Sequence, residues 1–261
     1  MFRFSADRLP VAIVLLFSLM DFCVYFLVDN LAALISYMVL MIIPKGCICA
    51  WNHHHQHTRT FHSQALNRVL EFFYALHTGV TTNLWVLHHV LGHHRNYLDQ
   101  SIDESGWQRA DGSKMNSIEY TLTIAGTAYQ RGYKVGNKFP RVQRDFVIYG
   151  LLTLLGVAAL IWYKPMAGVL VFALPMVISL LFTAWVTYDH HSGLDTDDVF
   201  TASYNNTGYI FNLLTGNLGY HTAHHYRQGL HWSKLPELHA KLADRIPDEF
   251  ITNHVMTPVR S

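Results

Sequence analysis

The residues of this chain that could do chemistry are histidines, and 13 of the 18 occur in four clusters. The clusters are NHHHQH at 52–57, HHVLGHH at 88–94, DHH at 189–191 and HTAHH at 221–225. Of the 18 histidines, the first is His53, and none falls between His94 and His190. Histidines one helical turn apart are a common arrangement for binding a metal ion. The distribution therefore predicts a metal centre.

The spacing within two of the clusters places ring nitrogens on common helix faces. At about 100° per residue, His53 and His57 lie one turn apart on a helix. On the same geometry, His221, His224 and His225 fall within an arc of about 100°. Each cluster can therefore direct several imidazoles at one ion or at two adjacent ions.

The cluster at 88–94 indicates how the ligands would be divided. His89 and His93 are one helical turn apart, whereas His94 points about 100° away from His93. Such a helix would share its ligands between two ions, so the spacing favours a dinuclear centre. Neutral imidazole suits Zn, Cu, Fe and Ni, and no cysteine accompanies the clusters. A structural zinc ion would need only four ligands, fewer than the clusters provide.

Composition assigns the chain to the class of integral membrane proteins. Hydrophobic residues make up 51% of its 261 residues and charged residues only 14%. A formal charge of +1 gives no field that would attract nucleic acid, so that class of partner is excluded. The three cysteines lack CxxC spacing and are expected to be reduced, structural thiols.

Four apolar runs have the length of about 20 residues that a bilayer core requires. They lie at about 9–28, 31–50, 146–163 and 166–188. Very short polar links join the members of each pair, so the runs predict two hairpins. Most charged residues fall at the N-terminus, in 51–145 or in 189–261, which places these segments and both termini on the cytoplasmic side.

The predicted fold is therefore an all-α integral membrane protein. Two transmembrane hairpins would carry a cytoplasmic helical cap with a His-rich di-metal site, and residues 1–261 would form a single membrane-embedded domain. Residues 66–91 are apolar but interrupted by charges, which favours one or two helices lying at the membrane interface. A short amphipathic helix is predicted to begin near Pro236. Lys45, within the second run, is expected to snorkel to the cytoplasmic surface.

The clusters and the hairpins together resemble the membrane fatty acid desaturase superfamily. That superfamily includes lipid desaturases, integral-membrane alkane hydroxylases and carotenoid oxygenases. By this resemblance, nine histidines would be the metal ligands and no other catalytic residue is assigned: His53, His57, His89, His93, His94, His191, His221, His224 and His225.

Two of these ligand assignments have alternatives. In the first cluster, His54 or His55 could replace His53, and in TYDHHSG at 187–193, His190 could replace His191. The second cluster has the spacing HxxxHH, which is more similar to the alkane hydroxylases than the HxxHH of most acyl desaturases.

The resemblance implies two non-haem iron ions and dioxygen as co-substrate. The reaction would be oxidation of an unactivated C–H bond in a lipid or fatty acyl chain, with desaturation as the first hypothesis. Hydroxylation of an alkane, fatty acyl or isoprenoid substrate is the alternative. A membrane metal transporter is the non-enzyme alternative, but it would need polar or ionisable ligands along its spans, and the runs 146–163 and 166–188 contain no His, Cys, Asp or Glu.

The electrons must come from a separate protein, because the chain has no GxGxxG, no iron–sulfur cysteine set and no CxxCH. A ferredoxin, rubredoxin or cytochrome with its reductase is implied. The stretch at 129–144 has five cations and no acid. It could bind an acidic electron donor, an acyl carrier or a lipid headgroup. The positive-inside rule explains the same cations equally well. Carboxylates are expected to bind the outer ring N–H groups, the candidates being Asp99, Asp103, Glu104, Asp189, Asp195, Asp197 and Asp198.

Overall fold

The computed structural model describes residues 1–255 and is mostly helical. Four of its helical segments are long and apolar enough to cross a membrane. These segments are Ser5–Leu27, Leu31–His57, Pro140–Tyr163 and Pro165–His191. The prediction of an all-α fold with four spanning helices is confirmed. The C-terminus, which was predicted to be cytoplasmic, lies outside the described residues.

The spanning segments form two helical hairpins. The first consists of α1 (Arg8–Leu27) and α2 (Leu31–His57). The second consists of α5 (Pro140–Tyr163) followed by α6 (Pro165–Ala167), a π-helical segment Gly168–Ala173, and α7 (Leu174–His191). Prolines 140 and 165 each occupy the first helical turn, where the missing N–H group costs no hydrogen bond.

An ion pair joins the two hairpins at their connecting turns. Lys164 Nζ lies 2.7 Å from Asp29 Oδ1 and donates to the carbonyl oxygen of Phe26 at 3.2 Å. Asp29 and Lys164 are the charged residues of the two short links, and the ion pair neutralises both charges.

The second and fourth spans continue beyond the apolar runs seen in the sequence. Helix α2 extends through the first histidine cluster to His57, and α7 extends to His191. The histidines of the first and third clusters therefore lie on the last turns of spanning helices. Backbone hydrogen bonds that continue from a rigid span hold these side chains more firmly than a loop would.

The described chain forms two compact units. The first comprises Met1–His55, Arg59–Trp85 and Phe139–Leu180. Its core includes Tyr25, Leu34 and Leu76 together with the middle of the second hairpin. The second comprises Gln56–Thr58, Val86–Lys138 and the chain from Leu181 onward.

Helix α3 (Gln64–Thr78) corrects the prediction that residues 66–91 lie at the membrane interface. Its residue His77 is fully buried and lies 2.9 Å from Ser18 Oγ of α1 and 3.2 Å from Asp21 Oδ2. Helix α3 therefore packs beside α1 well inside the span. The irregular chain that follows α3 is buried in protein, the condition under which non-helical backbone is tolerated at such depth.

Lys45 does not snorkel to the surface, in contrast to the sequence-based expectation. Its Nζ lies 2.9 Å from Asp21 Oδ2 and donates to the carbonyl oxygen of Val171 at 2.9 Å. Tyr37 donates to the other oxygen of Asp21 at 2.7 Å. A buried charge is tolerated only when it is paired and hydrogen-bonded, and Asp21 provides that partner from another span.

The second unit contains shorter helices around its own apolar core. A π-helix (Val86–His93) is followed by α4 (Ser117–Gly136), α8 (Tyr209–Thr215), α9 (His221–Tyr226) and α10 (Leu235–Leu242). Leu235 and Leu242 of α10 are buried against Phe200 and Ala223, as the amphipathic pattern predicts. A parallel pair of two-residue strands, β1 (Asn205–Asn206) and β2 (Ile251–Thr252), was not predicted.

Candidate metal centre

The second unit brings histidines from four separate parts of the chain together. His57 ends α2, His89 and His93 lie on the π-helix, His191 ends α7, and three more histidines lie on α9. Together with His94, these eight histidines form two groups of converging ring nitrogens.

The first group contains His57, His89 and His224. Each offers a ring nitrogen, and these atoms lie within 4.8 Å of one another. His94 joins this group, because its Nε2 lies 2.9 Å from Nε2 of His89 and 2.9 Å from Nε2 of His224. Four imidazoles therefore surround one position.

The second group contains His93, His191 and His225, whose ring nitrogens also lie within 4.8 Å of one another. His221 joins it, with its Nε2 atom 3.0 Å from Nε2 of His191 and 3.2 Å from Nε2 of His225. The rings of His94 and His225 stack with their centroids 4.1 Å apart, so the two groups are neighbours.

The cluster at 88–94 begins on a π-helix and divides its histidines between the two groups. A π-helix bonds each N–H group to the carbonyl five residues earlier, and His94 N donates to His89 O at 2.8 Å. His89 and His94 share the first group, with their Nε2 atoms 2.9 Å apart, while His93 belongs to the second. The sequence suggested α-helical geometry here, with His89 and His93 one turn apart, whereas the segment is a π-helix with a wider turn.

The hydrogen bonds of His93 and His191 fix which ring nitrogen carries the proton. His93 Nδ1 lies 2.8 Å from Asp103 Oδ1, and His191 Nδ1 lies 2.9 Å from the carbonyl oxygen of Ala202. Both acceptors require an N–H donor, so each neutral ring keeps its lone pair on Nε2. The two Nε2 atoms face each other at 3.3 Å. Two facing lone pairs repel unless a cation lies between them.

The separations between the nitrogens also fit metal coordination. Two imidazoles bound to one ion at about 2.1 Å, with an angle between 90° and 110°, have nitrogens about 3.0–3.4 Å apart. The nitrogen separations in the second group are 3.0, 3.2 and 3.3 Å. The residues present therefore fit a metal ion.

Burial keeps these imidazoles in the form that binds metals. Loss of solvent, followed by repulsion from neighbouring imidazoles, holds the pKa values of His94, His221 and His225 well below the ordinary range for histidine. The rings are therefore neutral at physiological pH, and their lone pairs are free to coordinate.

Buried amide groups hold the helix that carries the last cluster. Asn205 Oδ1 accepts from Thr222 N at 3.0 Å, and Asn205 Nδ2 donates to Thr222 Oγ1 at 2.8 Å. Gly219 lies just before α9, where a Cβ atom would be only 2.0 Å from the carbonyl oxygen of Asn206. This close approach requires glycine.

The histidines whose assignment the sequence left open are also located. His53 is buried on α2, one turn before His57. His55 contacts Thr60 Oγ1 through Nδ1 and Glu71 Oε1 through Nε2, so both of its nitrogens are engaged. His190 stacks its ring on His221, with centroids 3.9 Å apart, whereas His191 directs Nε2 into the second group.

A comparison with protein families agrees with this centre. The family model described as fatty acid desaturase matches residues 29–255. The chain belongs to the fatty acid desaturase family. The match includes α2, the second hairpin and all four histidine clusters. Comparisons with curated proteins and with solved structures gave no match.

Family membership gives the general activity. This desaturase-family chain is an oxidoreductase of lipid substrates and an integral membrane protein, and its histidine clusters could bind metal. Among the predicted outer-ring partners, Asp103 contacts His93. Sequence reasoning did not single out Ala202, Asn205 or Glu71. A carbonyl oxygen leaves no sequence signal, whereas the polar run SYNNTG at 203–208 could have drawn attention to Asn205.

Proposed function

We propose that this protein uses two iron ions and dioxygen to desaturate a fatty acyl chain of a membrane lipid or lipid precursor. The observation that carries the proposal is the convergence of imidazoles into two adjacent groups, with the Nε2 lone pairs of His93 and His191 facing each other. Two groups of four are more than a structural zinc ion needs and suit a pair of redox-active ions.

Nine histidines would hold the ions. The first group would use His53 with His57, His89, His94 and His224, because His53 lies on the same face of α2 as His57. The second group would use His93, His191, His221 and His225. When bound, the ferrous ions would supply the reduction of dioxygen and the removal of hydrogen from an unactivated methylene.

The protein's own residues would orient the ligands and exclude water. Asp103 and the Ala202 carbonyl hold His93 and His191 with Nδ1 protonated, and this keeps Nε2 directed at the ion. Every member of the two groups is buried except His57, which is half-buried, so the centre is shielded from solvent. Shielding limits the loss of oxidant to side reactions.

The overall reaction requires electrons from outside the chain. Desaturation converts two adjacent CH2 groups, one O2, two electrons and two protons into one CH=CH group and two waters. A ferredoxin, rubredoxin or cytochrome with its reductase would supply the two electrons. The exposed cations Lys134, Lys138, Arg141 and Arg144 suit an acidic donor, and equally a lipid headgroup or the positive-inside rule.

The histidine clusters and the N-terminus would be cytoplasmic. The charge asymmetry supports this orientation, since the two hairpin turns carry few charges while the other polar segments carry many cations. A cytoplasmic centre would also be accessible to soluble electron donors.

Hydroxylation is the second candidate reaction, favoured by the HxxxHH spacing of the second cluster. In that reaction one oxygen atom enters the substrate, and one water forms instead of two. Both reactions begin with removal of one hydrogen from the substrate and differ in whether a second hydrogen is lost or an oxygen is added.

The experiment that tests the proposal is product analysis with purified protein in lipid nanodiscs. Iron, dioxygen and a reducing system would be supplied with a panel of fatty acyl substrates and alkanes, and products would be identified by mass spectrometry. A product that has lost two hydrogens supports desaturation. A product that has gained one oxygen contradicts desaturation and supports hydroxylation. A protein that consumes no dioxygen with any lipid, yet carries metal across vesicle membranes, would be a transporter.

A further inference from the structure

A buried carboxylate lies beside the first histidine cluster but does not belong to the metal centre. Glu71 of α3 is 1% exposed, and its side chain contacts three groups. Its Oε1 atom pairs with Arg59 and lies 3.2 Å from Nε2 of His55, while Oε2 lies 2.7 Å from Arg68 Nη1. Both oxygens are therefore fully engaged.

The two arginines are themselves anchored to other parts of the first unit. Arg68 Nη2 donates to Asp145 Oδ2 at 2.8 Å, and Arg59 Nη2 donates to Asn83 Oδ1 at 2.7 Å. Glu71 is thus fixed in a network that joins α3 to the start of α5 and to the chain after α3. A carboxylate held in this way is a rigid point of attachment.

His55 connects this network to α2. Its Nε2 contacts Glu71, its Nδ1 lies 2.9 Å from Thr60 Oγ1, and its ring packs on Tyr74 with centroids 5.6 Å apart. Both nitrogens and one ring face are occupied, so the ring has one orientation. His55 acts as an attachment of α2 rather than as a metal ligand.

Helix geometry relates this attachment to the metal ligands. Residues two positions apart on an α-helix differ by about 200°, so His53 and His57 both lie on the face opposite His55. Fixing His55 on one side therefore directs His53 and His57 to the other. The attachment falls on the last turn of α2, where a helix otherwise frays.

We propose that Glu71 is a positioning residue that sets the rotation of the last turn of α2 through His55, and so aims His53 and His57 at the first metal ion. This inference rests on the proposed function, because it concerns the same centre. It also assigns different roles to the first and last of the three consecutive histidines. His53 would face the ion, and His55 faces the carboxylate of Glu71.

The test compares Glu71→Gln, His55→Gln and the double variant with the wild type, each loaded with ⁵⁷Fe. Glutamine keeps the size of the glutamate side chain but loses its charge. Iron per chain and the Mössbauer spectrum would be measured, because these report each metal site without requiring turnover. Glu119→Gln is the matched control, since it breaks an ion pair with Arg109 at an exposed position.

The expected result is a change confined to one of the two iron sites. Glu71→Gln should weaken iron binding at that site by less than the roughly 10- to 100-fold lost when a direct hydrogen-bond partner of a ligand is removed, because Glu71 acts on the ligands only through His55. His55→Gln should alter the same spectral component, and the double variant should change it no further. Glu119→Gln should match the wild type.

Two outcomes would overturn the positioning role. One is a Glu71→Gln protein that binds two iron ions with wild-type spectra and affinity and differs only in thermal stability. The other is independent, additive changes in the double variant. If Glu71→Gln does not fold, His55→Gln alone decides, because it leaves both arginines paired with Glu71. A wild-type protein that fails to bind two iron ions would contradict the proposed function instead.

Discussion

The Nε2 atoms of His93 and His191 face each other at 3.3 Å although the two residues are 98 positions apart in the chain. Each ring donates its other N–H group to a buried acceptor, so each Nε2 presents a lone pair. This relationship costs free energy in a protein without a cation and is stabilising in one that holds a cation between them. A cation bound between them would tie the end of a spanning helix to the π-helix.

Replacing Asp103 by asparagine should weaken the second metal site without removing a ligand. The amide oxygen can still accept from His93 Nδ1, but the negative charge that strengthens the ligand is lost. Metal affinity should fall by about 10- to 100-fold. Competition with a chelator of known affinity measures the effect.

Asp99→Asn is the matched control for that variant. Asp99 accepts from the backbone of Ser101 two residues later, as Asp103 does from Ser105, but it is exposed and no histidine contact with it is described. An equal loss of affinity in both variants would contradict the role assigned to Asp103.

Replacing Asn205 by alanine should destabilise α9 and, with it, both metal groups. The change leaves the buried N–H group of Thr222 without its acceptor, which costs about 1–3 kcal/mol. Thermal unfolding and iron content should fall together. Asn116→Ala removes a comparable helix cap at the start of α4 and should lower stability by about 1 kcal/mol with iron content unchanged.

Removing only one charge of the ion pair between Asp21 and Lys45 should destabilise the protein more than removing both charges. Lys45→Met leaves the buried carboxylate of Asp21 without its cation, at a cost of about 3–5 kcal/mol. The double variant Asp21→Asn/Lys45→Met should recover part of that loss. Unfolding in detergent measures each variant, and a double variant that loses the sum of the two single effects would refute the coupling.

Acid should remove the contribution of Glu71 to stability in a defined window. Burial alone would raise the pKa of Glu71, but the hydrogen bond from His55 and the charges of Arg59 and Arg68 outweigh it and lower the pKa to about 2. A lowered pKa means that the stabilisation is complete above the ordinary glutamate pKa of 4.5 and is lost as the pH falls towards 2. Melting temperatures of Glu71→Gln should therefore depend less on pH than those of the wild type between pH 4.5 and 2. Melting temperatures that change equally with pH in the two proteins would contradict this prediction.

The sequence predicted the parts of the fold that depend on local composition. Hydropathy located the four spans, and the spacing in HTAHH predicted the shared face of His221, His224 and His225 on α9. The continuation of α2 and α7 into the histidine clusters was not predicted, because the polar residues there end the apolar runs without ending the helices.

The features that were missed depend on partners far along the chain. Arg68, Glu71 and His77 interrupt the apolar pattern of α3 and indicated an interfacial helix. These polar side chains are instead paired inside the first unit, where His77 meets Asp21, 56 positions earlier in the sequence. The π-helix was missed for a different reason, since a single wider turn leaves no periodicity that a short segment can display.

The most direct test of the central claim is metal analysis of the purified protein by mass spectrometry and Mössbauer spectroscopy. We predict two iron ions per chain in the wild type and in His62→Ala, whose histidine is exposed and lies outside both groups. His191→Ala should hold fewer than two and should lose lipid oxidation with them. A wild-type protein containing one tightly bound zinc ion, or a His191→Ala protein that keeps two iron ions, would contradict the account.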